Sequence, residues 1–467
     1  MNRITLGEIE KATKGRILSG EETQEILNVC TDSRKAGPGD LFVPIVGEVH
    51  DAHKFIPQVL EKDCTALLIS EENTDTGNAA AILVDDTTKA LQRLSAWYLE
   101  GLHLKTIAVT GSVGKTSTRD MVYCILKEKY VTGTALGNFN NDIGVPLTIF
   151  SFDDSMEAAV LEVGMDHFGE IHRLADIIRP DIGIITNVGV SHIENLGSRE
   201  GILKAKMEIT DFFGPENTLV INGDNDMLAG IESSGEYRLV RSGTGKDCDW
   251  QIFDIEDFGA DGISYKLKTG SGIHEISLGI PGAHNALNSA LAIAAANCLG
   301  VSVEEAKRGL SAIKLTGKRL TVKTAGGIKV IDDTYNAAPD SMKSAVDTLM
   351  HTEGKRKIAI LGGMNELGDE SSKYHEEIGA YVVLQGVEIL ITAGDKAFDI
   401  ARGAEKQNEE AAADNGALRT EIRHFETKEA LCEVIGELLK DGDTVLVKGS
   451  RTMEMELVAD KILKEQE

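Results

Sequence analysis

Residues 106–118 read TIAVTGSVGKTST, a strand-like run, a glycine-hinged turn, then a helix whose first turn carries Lys115, Thr116 and Ser117. That order suits a nucleoside triphosphate. Gly111 and Gly114 let the backbone turn tightly, so that amides from Gly111 through Ser112, Val113 and Gly114 approach phosphate oxygens at the positive end of the helix. Lys115 would reach the outer phosphates and the Thr116 hydroxyl would ligate magnesium. The usual G-x-x-x-x-G-K-[ST] spacing is not met, because Val109 or Thr110 stands where the first glycine belongs. A plain turn is the competing interpretation.

Other polar side chains sit where chemistry collects in an α/β protein. Glu162 closes the apolar run Ala158–Leu161, a strand-end position suited to a magnesium carboxylate, although a solvated glutamate would look the same. Asn187 ends another run, with His192 five residues on in TNVGVSHIENLGS; a lone histidine is more often structural than a metal ligand. The segment GNFNNDIGVP places Asn138, Asn140 and Asn141 in a loop too polar for a core, able to line an anionic substrate or simply to turn. In PGAHNALNSA, His284, Asn285 and Asn288 share one face of a helix start, fit for a nucleobase or for capping. IDDTYNAAPDSM sets Asp332, Asp333, Tyr335 and Asn336 just past a strand, and Arg319 lies in the preceding hinge, within swing of a γ-phosphate or of a salt bridge.

At 467 residues the chain exceeds one ordinary core. Strand-like and helical runs alternate, which predicts an α/β protein of three domains: a small mixed α/β domain over 1–98, a P-loop-type parallel sheet with helices on both faces over 99–312, and a Rossmann-like αβα domain over 313–467. Residues 248–280 look like an antiparallel appendage. The helix after Pro281 shows one apolar stripe through Leu287, Ala290, Leu291, Ala294 and Cys298, and 405–416 looks like a mobile acidic loop. With 48 basic against 75 acidic side chains, the formal charge of −27 opposes non-specific attraction to nucleic acid or anionic lipid. Six dispersed cysteines without C-x-x-C read as free thiols, and no window approaches a membrane span. The opening segment has no apolar stretch of the signal-peptide kind. A cytoplasmic protein is expected, with no nucleic-acid or membrane partner and monomeric.

In order along the chain, CTDSRKAGPGDLFVP, TGSVGKTST, GNFNNDIGVPLT, EVGMDHFGEI, TNVGVSHIENLGS, AKMEI, PGAHNALNSA, IDDTYNAAPDSM, LGGMNELGDES and VLVKGSR together resemble the Mur ligases of bacterial cell-wall synthesis, in particular the MurF branch. The shortened phosphate loop is what that family shows. The D-N-P-R signature of the sibling that adds the third amino acid is missing. Two positions depart from the family pattern: Ala338 replaces the second asparagine of Asn-Ala-Asn-Pro, and Gly363 replaces the aspartate of Gly-Asp-Met.

The resemblance implies an ATP-dependent, ADP-forming ligase that joins D-Ala-D-Ala to UDP-MurNAc-tripeptide through an acyl phosphate. By the same resemblance Lys115 and Thr116 bind ATP phosphates; Thr116, Glu162 and His192 hold magnesium, in all two ions; and Lys206 is carbamylated to help hold the second. Asn285 and its neighbours face adenine, and Asp32, Ser33 and Arg34 meet the UDP end. Asp333, Asn336, Lys448 and Arg451 serve the closed state. Another amino-acid or folylpolyglutamate-type ligase of the superfamily is the nearest rival, and a regulatory nucleotide switch is the rival of a different class.

Overall fold

The computed structural model describes residues 1–47, 50–135, 137–233, 235–413 and 419–465. The chain forms two compact units, residues 1–110 with 129–183 and 207–217, and residues 111–128 with 184–206 and 218–467.

The first unit opens with a helix, Leu6–Thr13, started by a reciprocal capping box between Thr5 and Glu8. Its five-stranded sheet runs in the order Arg16–Ser19, Ala80–Leu83, Ala66–Ile69, Asp40–Phe42, Asn28–Cys30, parallel except at the first pair. Ala66–Ile69 is buried at every position, as a strand covered on both faces must be. The helix Thr87–Leu102, capped by Asp86, buries Ala90, Leu91, Leu94 and Tyr98 at helical spacing. Within the same unit Lys105–Thr110 and Ala158–Glu162 pair in parallel, with Glu162 level with Val109, and Thr132–Thr134 adds a third strand. Both long strands therefore deliver their carboxyl ends to the same edge.

In the second unit Thr218–Asn222, Arg238–Gly243 and Trp250–Asp257 pair in parallel, and Ile263–Thr269 and Gly272–Leu278 continue antiparallel. Residues 248–280 supply the expected antiparallel strands, and Trp250 pairs with Ser242, so they extend the parallel ladder directly. The helix His284–Cys298 differs from its expected single stripe. Asn285, Ala286 and Asn288 to Ala296 are all buried, because small alanine side chains let the helix Lys115–Leu126 and neighbouring strands approach from several sides.

The C-terminal sheet orders its six strands Thr321–Ala325, Ile328–Asp333, Asp443–Lys448, Arg356–Gly362, Ile389–Ala393, Glu421–Phe425, all parallel but the first pair. Alternate residues feed opposite cores. Ile331, Ala359, Leu361, Leu390 and Leu446 face one layer, and Val330, Ile358, Ile360, Ile391 and Val445 the other. Helices on both faces make this the expected αβα sandwich, with Asp333, Gly362 and Lys448 at strand carboxyl ends. Residues 405–413 are not a loop. They belong to the helix Asp395–Ala413, rich in Glu, Lys, Gln and Ala, which buries Ala397, Ile400, Ala401 and Ala404 along one face. Residues 414–416 lie outside the described residues. All six cysteines are free thiols, and among the described residues no helix is long and apolar enough to cross a membrane.

Candidate active site

The glycine turn is imposed by its neighbours. Gly111 has φ +154°, and a Cβ there would lie 1.8 Å from Thr186 Oγ1; Gly114 has φ +82°, and its Cβ would lie 2.9 Å from Asn288 Oδ1. Only glycine fits either place. Residues 186–189 clamp the loop from outside. Thr186 Oγ1 donates to the Val113 carbonyl at 2.5 Å, Asn187 Oδ1 accepts the Val113 amide at 2.9 Å, the Asn187 carbonyl accepts the Ser112 amide at 3.1 Å, and Ser112 Oγ accepts the Gly189 amide at 3.0 Å. Two amides offered to phosphate are therefore engaged by Asn187, which moves anion recognition toward the first turn of the helix Lys115–Leu126. Lys115 Nζ donates to the carbonyls of Gly111 at 2.7 Å and Ser112 at 3.4 Å, so its charge sits over the loop. Thr116 and Ser117 follow it, both buried.

Lys206, in the last turn of Arg199–Met207, is 1% exposed. Desolvation, and secondarily the Lys115 ammonium, hold its amine well below the ordinary lysine range, so two lysines of this unit share one field. His192 has φ +65° and starts the short helix Ile193–Leu196. Its Nδ1 lies 2.6 Å from Glu366 Oε2, a carboxylate–imidazole pair of the kind that orients a metal-ligating ring.

Arg319 reaches the same helix. Its Nη2 donates to Thr116 Oγ1 at 3.0 Å, its Nη1 to the Thr316 carbonyl at 2.6 Å, and its guanidinium lies 3.7 Å from the Tyr335 ring centroid. It thus donates to two neutral oxygens and stacks on a ring at the phosphate turn. Lys448 Nζ, 2% exposed, binds Asp333 Oδ2 at 2.5 Å and the Asn336 carbonyl at 2.8 Å. Arg451 stands apart, exposed and paired with Glu456 at 2.5 Å. His284 is exposed overall at the start of its helix. Desolvation pulls its imidazole below the usual range, with Asp333 and Lys448 acting in opposite directions. Asn285 and Asn288 are buried: Asn285 Nδ2 donates to the Pro281 carbonyl at 2.7 Å and Asn288 Nδ2 to Asn285 Oδ1 at 3.1 Å. Capping does not explain Asn285, since the N-cap position is Ala283.

In the other unit Glu162 is 2% exposed, and Asn140 Nδ2 donates to its Oε1 at 2.8 Å. Asn140 is itself held by the Gly164 amide on its carbonyl. Asn141 Oδ1 accepts the Gly144 amide at 2.8 Å, a turn-forming bond, and Asn138 is exposed. Asp32 clamps Arg34 at 2.9 Å through each of Nε and Nη2 and accepts its amide at 3.0 Å, and these bonds hold the Asp32 carboxyl down to about 2. Ser33 Oγ lies 3.4 Å from Gln58 Oε1, while Lys62 donates to the Ser33 and Arg34 carbonyls. The two departures have local consequences. Ala338 is the N-cap of Pro339–His351 and offers no side-chain acceptor, and an aspartate at 363 would bring its Cβ within 2.8 Å of Lys396 Cβ.

The sequence singled out Asn187 and Tyr335 but not their roles, the clamp on Val113 and the stack on Arg319; Thr186 and Glu366 stood inside the TNVGVSHIENLGS and LGGMNELGDES segments without a role, Glu366 being distant in sequence from its histidine.

A three-layer αβα sandwich and a glycine turn followed by Lys-Thr define a nucleotide-dependent α/β enzyme. The chain matches the Mur ligase middle domain over residues 109–296 and the Mur ligase, glutamate ligase domain over 318–451. It belongs to the Mur ligase family. It is 37% identical to the UDP-N-acetylmuramoyl-tripeptide--D-alanyl-D-alanine ligase of Bacillus subtilis, over 99% of both chains. Among solved structures it is similar to MurF from Acinetobacter baumannii, with TM-score 0.91 at 30% identity over 99% of each chain. It is also similar to the Thermotoga maritima MurF ligase solved in complex with ADP, with TM-score 0.81 at 26% identity, over 94% of this chain and 97% of that one.

Proposed function

We propose that the chain is an ATP-dependent, ADP-forming ligase that joins D-alanyl-D-alanine to the terminal carboxylate of UDP-N-acetylmuramoyl-tripeptide in cytoplasmic peptidoglycan precursor synthesis. The observation that carries this reading is end-to-end likeness to the Bacillus subtilis ligase of that name, with no large segment left over. The three domains proposed are 1–98 for the UDP substrate, 99–312 for ATP and 313–467 for the incoming dipeptide, in a monomer.

A carboxylate is a poor electrophile, so activation must come first. One carboxylate oxygen of the tripeptide attacks the γ-phosphorus of ATP and ADP leaves with the bonding pair. The amine of D-Ala-D-Ala then attacks the acyl carbon, and the tetrahedral adduct collapses to amide and inorganic phosphate as the nitrogen loses its proton. Lys115 and Arg319 neutralise the approach of two anions. His284, Asn285 and Asn288 lie on the nucleotide side; Asp32, Ser33 and Arg34 take the UDP end; Asn138, Asn140 and Asn141 line the acceptor peptide; Asp333, Asn336, Lys448 and Arg451 act from the C-terminal domain.

Thr116, Glu162, His192 and a carbamylated Lys206 would hold magnesium. The hydroxyl and the buried carboxylate are the hard oxygen donors that this ion selects, and burial, which holds the Lys206 amine well below the usual lysine range, favours the neutral form that adds CO₂. When bound, the metal supplies positive charge to the phosphates.

Incubation with ATP, magnesium, UDP-MurNAc-tripeptide and D-Ala-D-Ala, omitting each in turn and weighing the product, tests the reading. ADP release that requires both peptides, and a pentapeptide product, are expected. Turnover with glutamate or a single amino acid in place of the dipeptide would refute it.

A further inference from the structure

The helix Lys115–Leu126 buries two charged side chains that the proposed reaction does not use. Arg119 and Asp120 are 1% and 6% exposed. Arg119 Nη2 and Nε approach Asp120 Oδ1 at 2.5 and 3.1 Å, and Nη2 also donates to Thr316 Oγ1 at 3.3 Å. The other carboxylate oxygen, Asp120 Oδ2, accepts the Thr316 amide at 2.7 Å. Thr316 in turn receives Arg319 Nη1 on its carbonyl, and Arg319 Nη2 reaches Thr116 Oγ1. The path leaves the helix at Asp120 and returns to it at Thr116, one turn back on the same face.

A buried ion pair is a poor way to stabilise a helix, because apolar side chains of similar volume serve as well or better. What this pair supplies is direction. It fixes an amide and a hydroxyl of one linker residue, which leaves the guanidinium three residues on a short reach to the phosphate turn. Tyr335 covers the guanidinium's face and narrows its choice further.

We propose that Arg119 and Asp120 are positioning residues for the nucleotide site: through Thr316 they aim Arg319 at the place beside Thr116 where the outermost phosphate of ATP lies. The inference rests on the reading of the Lys115 turn as the triphosphate site. Its consequence is specific. Preference for ATP over ADP depends on two side chains that touch neither nucleotide.

The double variant R119L/D120L removes both charges together. Titration calorimetry of the full chain with a non-hydrolysable ATP analogue and with ADP, in magnesium, supplies the readout, with thermal melting as the folding check. The ATP-analogue affinity is expected to fall about tenfold, the loss of one aimed charge-assisted hydrogen bond, while ADP affinity stays within about twofold. Arg319→Ala should produce the same selective loss, and combining the two should add less than about twofold, because they remove one interaction. Should the double variant fail to fold, Thr316→Val removes only the hydroxyl, and an ATP-selective drop of about threefold is expected from it. An unchanged ATP-to-ADP ratio in the folded variant, equal loss of both nucleotides, or additive losses with Arg319→Ala would overturn the proposal. Lys115→Ala separates the two levels. Unchanged analogue affinity there would overturn the triphosphate reading and this inference with it, whereas a large loss there beside an unaffected R119L/D120L overturns this inference alone.

Discussion

Replacing Gly111 by alanine should disable the nucleotide turn while leaving the protein folded. The new Cβ would come 1.8 Å from Thr186 Oγ1, so that hydroxyl must rotate away and give up its bond to the Val113 carbonyl. That loss is worth about 1 kcal/mol. Holding an L-residue at φ +154° adds roughly 1–2 kcal/mol of backbone strain. The present turn is then disfavoured by about 2–3 kcal/mol, and if ATP binds only this turn, its affinity falls roughly 30-fold to 150-fold. Titration calorimetry with magnesium and an ATP analogue measures the loss, and a melting curve confirms the fold. The clash is separable from the strain. In a Thr186→Ala background the offending oxygen is gone, so Gly111→Ala should there cost about fivefold less than in the parent. Parental affinity for Gly111→Ala, or the same loss in both backgrounds, would mean that contact with Thr186 does not hold the turn.

Ala338→Asn restores a side-chain acceptor to the N-cap of Pro339–His351 and should stabilise the C-terminal sandwich by about 1 kcal/mol, read as a rise in denaturation midpoint. Lys206→Met should raise the melting temperature by a few degrees while abolishing ligation, because burial holds the folded amine below its unfolded pKa and at neutral pH that mismatch opposes folding. His375 accepts the Met364 amide on Nε2 at 2.8 Å and lies 2.6 Å from the Ser371 carbonyl through Nδ1, and burial depresses its pKa. Its contribution is therefore fully present above the unfolded value near 6.5 and lost as pH falls through the folded one; melting scans from pH 8 to 5 should show a decline that His375→Gln flattens. Asp333→Asn leaves the buried Lys448 ammonium without its carboxylate and should destabilise by about 3–5 kcal/mol in denaturant unfolding.

Strands announced themselves where an apolar run met turn residues on both sides. Ala66–Ile69, Ala158–Glu162 and Ile389–Ala393 are the clearest, and their alternation with helices was enough to foresee the αβα sandwich. Composition misled where neighbours decide. The alanine-rich helix His284–Cys298 showed a stripe in its larger residues yet is buried nearly all round, and the acidic 405–413 segment has the helix formers and the buried face of a long helix. At the site, Lys115, Thr116 and Lys206 could be singled out by local pattern or resemblance. Arg119 could not: a charged residue on an amphipathic helix reads as surface, and its burial depends on Thr316, 197 positions away. Glu366 and the clamp at residues 186–189 were hidden for the same reason, since long-range pairing leaves no local trace.

Activation of a peptide carboxylate by phosphorylation is the defining step of the proposed reaction, and oxygen tracing follows it atom by atom. UDP-MurNAc-tripeptide labelled with ¹⁸O in its terminal carboxylate, turned over with ATP and D-Ala-D-Ala, should pass one labelled oxygen to inorganic phosphate and keep the other in the new amide. Released phosphate free of label, with pentapeptide formed, would contradict the acyl-phosphate route.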